Sequence, residues 1–300
     1  MLFPIMSQRF VIISAAVCSG SIYAVCASIV ALSADAGCSL IFSSSPMLAM
    51  MLFGLATIPA CALALVASAT ANPLAGFFTL ALSLALPAVL GGRIDEWMYR
   101  NELPGAYWWL AAEILLWVVP IVAMSLTIQL WRTQIRMVLP TRLRMSHRGT
   151  NSRRPKKPGV ESNRSVRIHA PDQTAWLGGL TAALAGGILS YVFVQVSDSS
   201  QVFWGLLLGF CIGTLFAHQM FPSKHALPFM LSPILVGFVA YVLVAGWYDS
   251  AHDVIYARNT ANLIRLALPL PMFYASAGVA GVAMGIGWSQ SWIERKQNES

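Results

Sequence analysis

The stretch Val202–Phe221 reads VFWGLLLGFCIGTLFAHQMF and carries no Asp, Glu, Lys or Arg. At 1.5 Å of rise per residue, a helix of this length spans about 30 Å, the hydrocarbon thickness of a bilayer. Seven further stretches are comparably apolar, the fourth span carrying one charge, Glu113, and the last one, Arg265. They are Phe10–Leu32, Met47–Ala69, Pro73–Leu90, Tyr107–Trp131, Ala175–Val196, Ala226–Trp247 and Ile264–Trp288. Lipid cannot satisfy exposed backbone groups, and these runs lack the two-residue alternation of a barrel strand, so helices are expected. The composition agrees. Of 300 residues, 57% are hydrophobic and 10% charged, with a mean hydropathy of +0.66, whereas a soluble domain is about 25% charged. An ordinary soluble enzyme, a disordered protein and a free nucleic-acid-binding domain are thereby excluded. The expected fold is all-α: a polytopic transmembrane helical bundle of about eight spans.

The basic residues orient the bundle. An even number of spans puts Arg9, Lys224, Arg295, Lys296 and the segment 132–172 on one side. That segment alone holds Arg132, Arg136, Arg142, Arg144, Arg148, Arg153, Arg154, Lys156, Lys157, Arg164 and Arg167, against Arg93, Arg100, Arg258 and Arg265 opposite. Short basic loops stay cytoplasmic. Both termini are therefore expected inside a cell (inner) membrane. Trp97, Trp108, Trp109 and Trp247 then fall at the outer interface, and Trp131, Trp176, Trp288 and Trp292 at the inner one. Ala34-Asp35-Ala36 offers a cleavage site, but the first apolar run exceeds the roughly 7–15 residues of a signal peptide, so a retained span is expected.

The basic segment also divides the chain into a first four-helix half (1–131), a linker (132–172) and a second four-helix half (173–300). Before the last span of each half stands an outer loop of matching pattern: Asp95, Arg100 and Asn101 in the first, Asp253, Arg258 and Asn259 in the second, both D-x4-R-N and offset by 158 residues. The same offset carries the fourth span onto the eighth and the second onto the sixth. Two like-oriented copies of one unit, related by an axis along the membrane normal, are expected.

Small residues recur every fourth position at Gly178, Ala182, Gly186 and Ser190, at Gly205, Gly209, Gly213 and Ala217, and at Ala277, Gly281 and Gly285. Such rows let helix backbones approach closely, and packing within the chain is their expected use. Pro59, Pro87, Pro120, Pro233, Pro269 and Pro271 interrupt spans and are expected to kink them.

Ionisable residues inside spans are the first functional suspects. Glu113 lies a short way into the fourth span. It is a candidate proton or cation site, or it reaches the outer surface or pairs with Arg100, Arg258 or Arg265. The paired loops, with Asp95, Arg100, Asn101, Asp253, Arg258 and Asn259, are the other candidate ligand site, because arginine forks suit carboxylate or phosphate. The competing reading is that these residues close their own loops and cap helices. Of the histidines only His218 is near a span, and bis-histidine haem ligation has no second membrane histidine. No H-E-x-x-H, Walker A or G-x-S-x-G motif is present. Cys18, Cys26, Cys38, Cys61 and Cys211 include no C-x-x-C pair. No metal and no cofactor are expected.

The expected partners are the bilayer, anionic headgroups attracted by 132–172 at about 1 kcal/mol per base, and a protein partner in the membrane. Met145–Pro171 is expected to be disordered. It lacks the interleaved aromatics of a nucleic-acid-binding segment, and topology already explains its charge. Two function classes stay open. One is a non-enzymatic component, permease-like or complex-organising. The other is a membrane-embedded enzyme acting on a lipid-linked or anionic substrate at the outer face.

Overall fold

The computed structural model describes residues 6–29, 39–90, 97, 103–138, 172–260 and 262–299. Asp95, Arg100, Asn101, Cys38 and most of the basic linker lie outside the described residues. The chain is an all-α membrane bundle, and no strand occurs among the described residues. Seven helical stretches are long and apolar enough to cross a bilayer.

The elements run α1 (Met6–Ile29), α2 (Pro46–Thr70), α3 (Pro73–Leu90), α4 (Pro104–Leu116), α5 (Val118–Val138), α6 (Gln173–Phe193), α7 (Ser199–Met220), α8 (Leu227–Met230), α9 (Ser232–Trp247) and α10 (Ala251–Asn259). A 3-10 turn at Arg265–Ala267, α11 (Pro271–Phe273), a π turn at Tyr274–Gly278 and α12 (Val279–Glu299) complete the fold.

Proline does more starting than kinking. Pro46, Pro104, Pro228, Pro233 and Pro271 each sit in the first turn of a helix, where a missing N–H costs nothing and φ is preset. Pro59 and Pro87 lie inside unbroken α2 and α3. Pro120 follows the break at Trp117 that separates α4 from α5, and Pro233 follows the break at Leu231.

The last span departs most from expectation. Its helix begins at Pro271, not Ile264. Pro269 and Pro271 each lack a backbone donor, and Leu270 before Pro271 is extended, at φ −76° and ψ 160°. The five-residue π turn then interrupts the ladder before α12. This interrupted stretch is not among the seven that meet the length and apolarity of a span.

Two ends of the bundle follow from helix direction. Ser39–Ser45, the start of α4, and 248–262 lie at one end, called here the Ser39 end. The α2–α3 turn and Lys224 lie at the other, the Lys224 end. Trp108, Trp109, Trp204 and Trp247 are exposed toward the Ser39 end, and Trp131, Trp176, Trp288 and Trp292 toward the other. These are the two aromatic belts of a membrane protein. Trp97 does not belong to them: it is buried, edge-on to Phe42 and Tyr107. An aromatic partner on each side outweighs interfacial placement.

The small-residue rows pack helices within the chain. Cβ atoms added at Gly209 and Gly213 of α7 would meet the α6 backbone, at 2.7 Å from the Ser190 nitrogen and 2.6 Å from the Gly186 Cα. Cβ atoms at Gly281 and Gly285 of α12 would run into the carbonyls of Leu207 and Cys211 on α7. Thus α6, α7 and α12 form a seam at backbone distance. Elsewhere α1 packs on α2 and α3, and α2 on α5. The two groups of helices meet where α4 packs on α9 and where α3 packs on α11, the π turn and α12.

Candidate functional site at the helix-group junction

Glu113 on α4 is wholly buried. At 1.5 Å per residue it lies roughly 13 Å along the axis from Pro104. Its Oε1 accepts the Leu40 N–H (3.0 Å), and its Oε2 accepts the Ile41 N–H (3.2 Å) and the Ser39 hydroxyl. A backbone N–H only donates, so each carboxylate oxygen is held as an acceptor. Non-helical backbone at membrane depth is tolerated only where its polar groups find partners in protein or water. Here the carboxylate takes the place of water for the turn at Ser39–Ser43. That turn closes on itself through the Ser43 hydroxyl, which donates to the Leu40 carbonyl (2.8 Å). Phe42 stacks edge-on to Trp97 at 5.4 Å, and Trp97 edge-on to Tyr107 of α4 at 5.8 Å.

The opposite wall has inverse chemistry. The irregular segment 262–270 leaves carbonyls without helical partners. Tyr241 of α9 donates to the Pro269 carbonyl and Tyr274 to the Leu266 carbonyl. The two rings are edge-on at 6.3 Å. Gly237 makes room for the Tyr274 ring: a Cβ there would lie 2.7 Å from that ring and would collide with Ile114, the residue after Glu113. Tyr241 is also within electrostatic range of Glu113. Where α4 meets α9, a carboxylate that gathers donors thus lies within electrostatic range of Tyr241, one of two phenols that hold acceptors.

Of the other sequence candidates, Asp253, Arg258 and Asn259 are among the described residues. Asp253 belongs to a capping box at the start of α10: it accepts from the Ser250 N–H (3.1 Å) and hydroxyl (2.7 Å), while the Ser250 hydroxyl accepts the Asp253 N–H (3.3 Å). Arg258 is in the last turn of α10, near enough to Tyr107 to act on it electrostatically. Asn259 is the exposed final residue of α10, so it ends that helix and does not cap a following one. The Arg265 guanidinium lies 5.4 Å from the centre of the Tyr191 ring. Glu113 thus takes the turn at Ser39–Ile41 as its partner and does not reach the outer surface. Among the described residues, no three His, Cys, Asp or Glu gather as metal ligands.

At the Lys224 end, His218 Nδ1 lies 2.9 Å from the Ser289 hydroxyl and Nε2 lies 3.2 Å from the Ser223 carbonyl. A carbonyl only accepts, so Nε2 carries the proton and, in the neutral ring, Nδ1 accepts from Ser289. The imidazole pins α7 to α12 and to the loop before α8.

No known protein family, curated protein or solved structure compared with this chain matches it.

Two caps give direct expectations. Alanine at Ser250 or at Asp253 should each fray α10, at a local cost of about 1 kcal/mol. Amide exchange across Ala251–Asn259 measures it. If Asp253 only caps, the two variants behave alike in every assay.

Asp172 is the N-cap of α6 and accepts the Ala175 N–H at 3.1 Å. The Thr174 hydroxyl first, and then this N–H, hold its carboxyl below the usual aspartate range. A depressed pKa adds stability above the unfolded value, near 4, that is lost as pH falls through the folded value. Asp172→Asn keeps an acceptor for the cap. It should therefore abolish the acid-dependent fraying of the first turn of α6 seen by amide exchange below about pH 4.

Proposed function

We propose that the chain is a non-enzymatic membrane component of permease-like kind, built from two like-oriented four-helix halves whose junction at the Ser39 end carries Glu113. The observation that carries this reading is the pairing of elements across the junction. An offset of 158 residues relates α1 to α6, α2 to α7, α3 to α9, and the α4–α5 span to the stretch from Arg265 through α12. Under that relation the contact of α4 with α9 is the counterpart of the contact of α3 with α11 and the π turn. A buried carboxylate and an interrupted helix at the meeting of repeated units is the arrangement from which membrane carriers build a midplane path. π turns, too, are frequent at functional positions.

Charge and belt positions support an orientation with both termini cytoplasmic in the cell (inner) membrane, and the Ser39 end outside. On this reading the basic segment 132–172 lies against anionic headgroups.

The test is flux. The purified chain is reconstituted in vesicles loaded with a pH-sensitive dye, and a pH gradient is imposed. Wild type should dissipate it faster than protein-free vesicles and faster than Glu113→Gln. Equal rates for wild type and protein-free vesicles overturn the Glu113-coupled reading. They leave the complex-organising role, which requires a stoichiometric protein partner on purification in mild detergent. The enzymatic alternative at the outer face draws on Asp95, Arg100, Asp253, Arg258 and Glu113, of which the Asp253 carboxylate is already engaged in its capping box.

A further inference from the structure

We infer that Ser39–Ser45 is a strap that opens as a unit from the Ser39 end of the bundle, with Glu113 as its latch. The role given to it, an outer gate over the junction of α4 and α9, rests on the permease-like reading.

Three observations carry the geometry. First, the turn is tied to α4 by bonds that converge on one side chain, Glu113, from three consecutive residues. Losing that one acceptor frees all three. Second, the turn is internally complete, because the Ser43 hydroxyl and N–H both address the Leu40 carbonyl. It can therefore move without unravelling. Third, exposure changes sharply along it. Ser39, Leu40 and Ser43 are buried, whereas Ser44, Ser45, Pro46 and Met47 are exposed. The hinge falls in the serine pair before Pro46, where α2 starts with no side-chain cap bond. Packing seats the turn as well: Phe42 rests edge-on against Trp97 and Leu40 sits in the hydrophobic core, so opening must lift both side chains. Swinging the strap away uncovers Glu113 while leaving the glycine seam of α6, α7 and α12 untouched.

The experiment uses the full chain in nanodiscs. Ser43→Cys, which gives up the Ser43 hydroxyl bond but keeps its N–H bond to the Leu40 carbonyl, is the common background of all variants and the strap reporter, with Cys18, Cys26, Cys38 and Cys61 replaced and native Cys211 kept as reporter of the core. Reaction with a water-soluble maleimide is followed at both thiols. When closing is fast, the rate at a protected site tracks its open fraction. A hydrogen bond to a charged group is worth enough that Ser39→Ala should raise the Ser43→Cys rate about tenfold, and Glu113→Ala about a hundredfold. Cys211, buried between α7 and α12, should not change.

Unchanged rates at Ser43→Cys in both variants overturn the strap. So does a rise at Cys211 in step with it, because that is loosening of the whole bundle. If Glu113→Ala fails to fold, Ser39→Ala still reads the latch, since it leaves two of the three bonds. Strap opening together with absent flux keeps the strap and removes the permease-like reading. Flux in a protein whose strap never opens removes the strap.

Discussion

Gly213→Ala is expected to destabilise the bundle strongly, because its methyl group would be driven into the α6 backbone. The new Cβ would sit 2.6 Å from the Gly186 Cα and 2.9 Å from the Ala185 carbonyl carbon, against 3.4–4 Å for ordinary contact. Both obstacles are backbone, so no side chain can rotate away. Helices α6 and α7 must separate by about 1 Å, and a gap of that size forfeits roughly a quarter to a half of each contact it opens. Overpacking costs about 1–3 kcal/mol and occasionally more. This site belongs at the top of that range, because lipid supplies no hydrophobic drive to restore the contact. Gly54→Ala is the control: nothing lies within 4 Å of its Cβ, and alanine is favoured over glycine in a helix by about 1 kcal/mol. Thermal unfolding in detergent should lower the midpoint of Gly213→Ala and hold or raise that of Gly54→Ala. Equal midpoints would refute the backbone-distance seam.

Glu113→Ala should show the second large effect. It strands the N–H groups of Leu40 and Ile41, each costing about 1–3 kcal/mol if it stays buried without a partner. The chain takes the cheaper route of stranding them or lifting the turn into water. Glu113→Gln is milder and more diagnostic. One amide oxygen replaces one acceptor, but the NH2 must face either Leu40 or the Ser39–Ile41 pair, donor against donor. Amide exchange at Leu40 and Ile41 should rise in both variants, more in Glu113→Ala. Protection retained at both amides in Glu113→Ala would show that the carboxylate does not hold the turn.

How much of this was legible in the sequence follows from the range of each interaction. The spans were legible because burial in lipid is a property of a single apolar run. The rows at Gly209, Gly213, Gly281 and Gly285 were legible as packing faces, because their spacing is that of one helix turn. Glu113 was legible as an unusual residue, but its partners were not. They lie 72 to 74 residues away, in a turn with no repeat or motif. Its expected partners were arginines, on grounds of charge, and a set of backbone donors carries no sequence signature. The burial of Trp97 was hidden for the same reason. Tyr241, Tyr274 and Ser289 carried a weak signal: a buried phenol, or a histidine such as His218 near a span, usually finds a polar partner. The late start of the last helix was signalled by Pro269 and Pro271, whereas the π turn after it had no marker.

The distribution of glycine contacts divides the molecule mechanically. In α6, α7 and α12, backbone rests on backbone at Gly209, Gly213, Gly281 and Gly285, so any sliding there must first pull whole helices apart. In α1–α4 the fit is mixed: a Cβ at Gly54 or Gly105 would meet nothing within 4 Å, whereas one at Gly76 would lie 2.7 Å from the end of the Met124 side chain and 3.0 Å from the Ala64 carbonyl oxygen. Sliding of α6 or α12 along α7 is therefore opposed by backbone, whereas at Gly76 the nearest obstacle is the flexible end of one side chain, Met124.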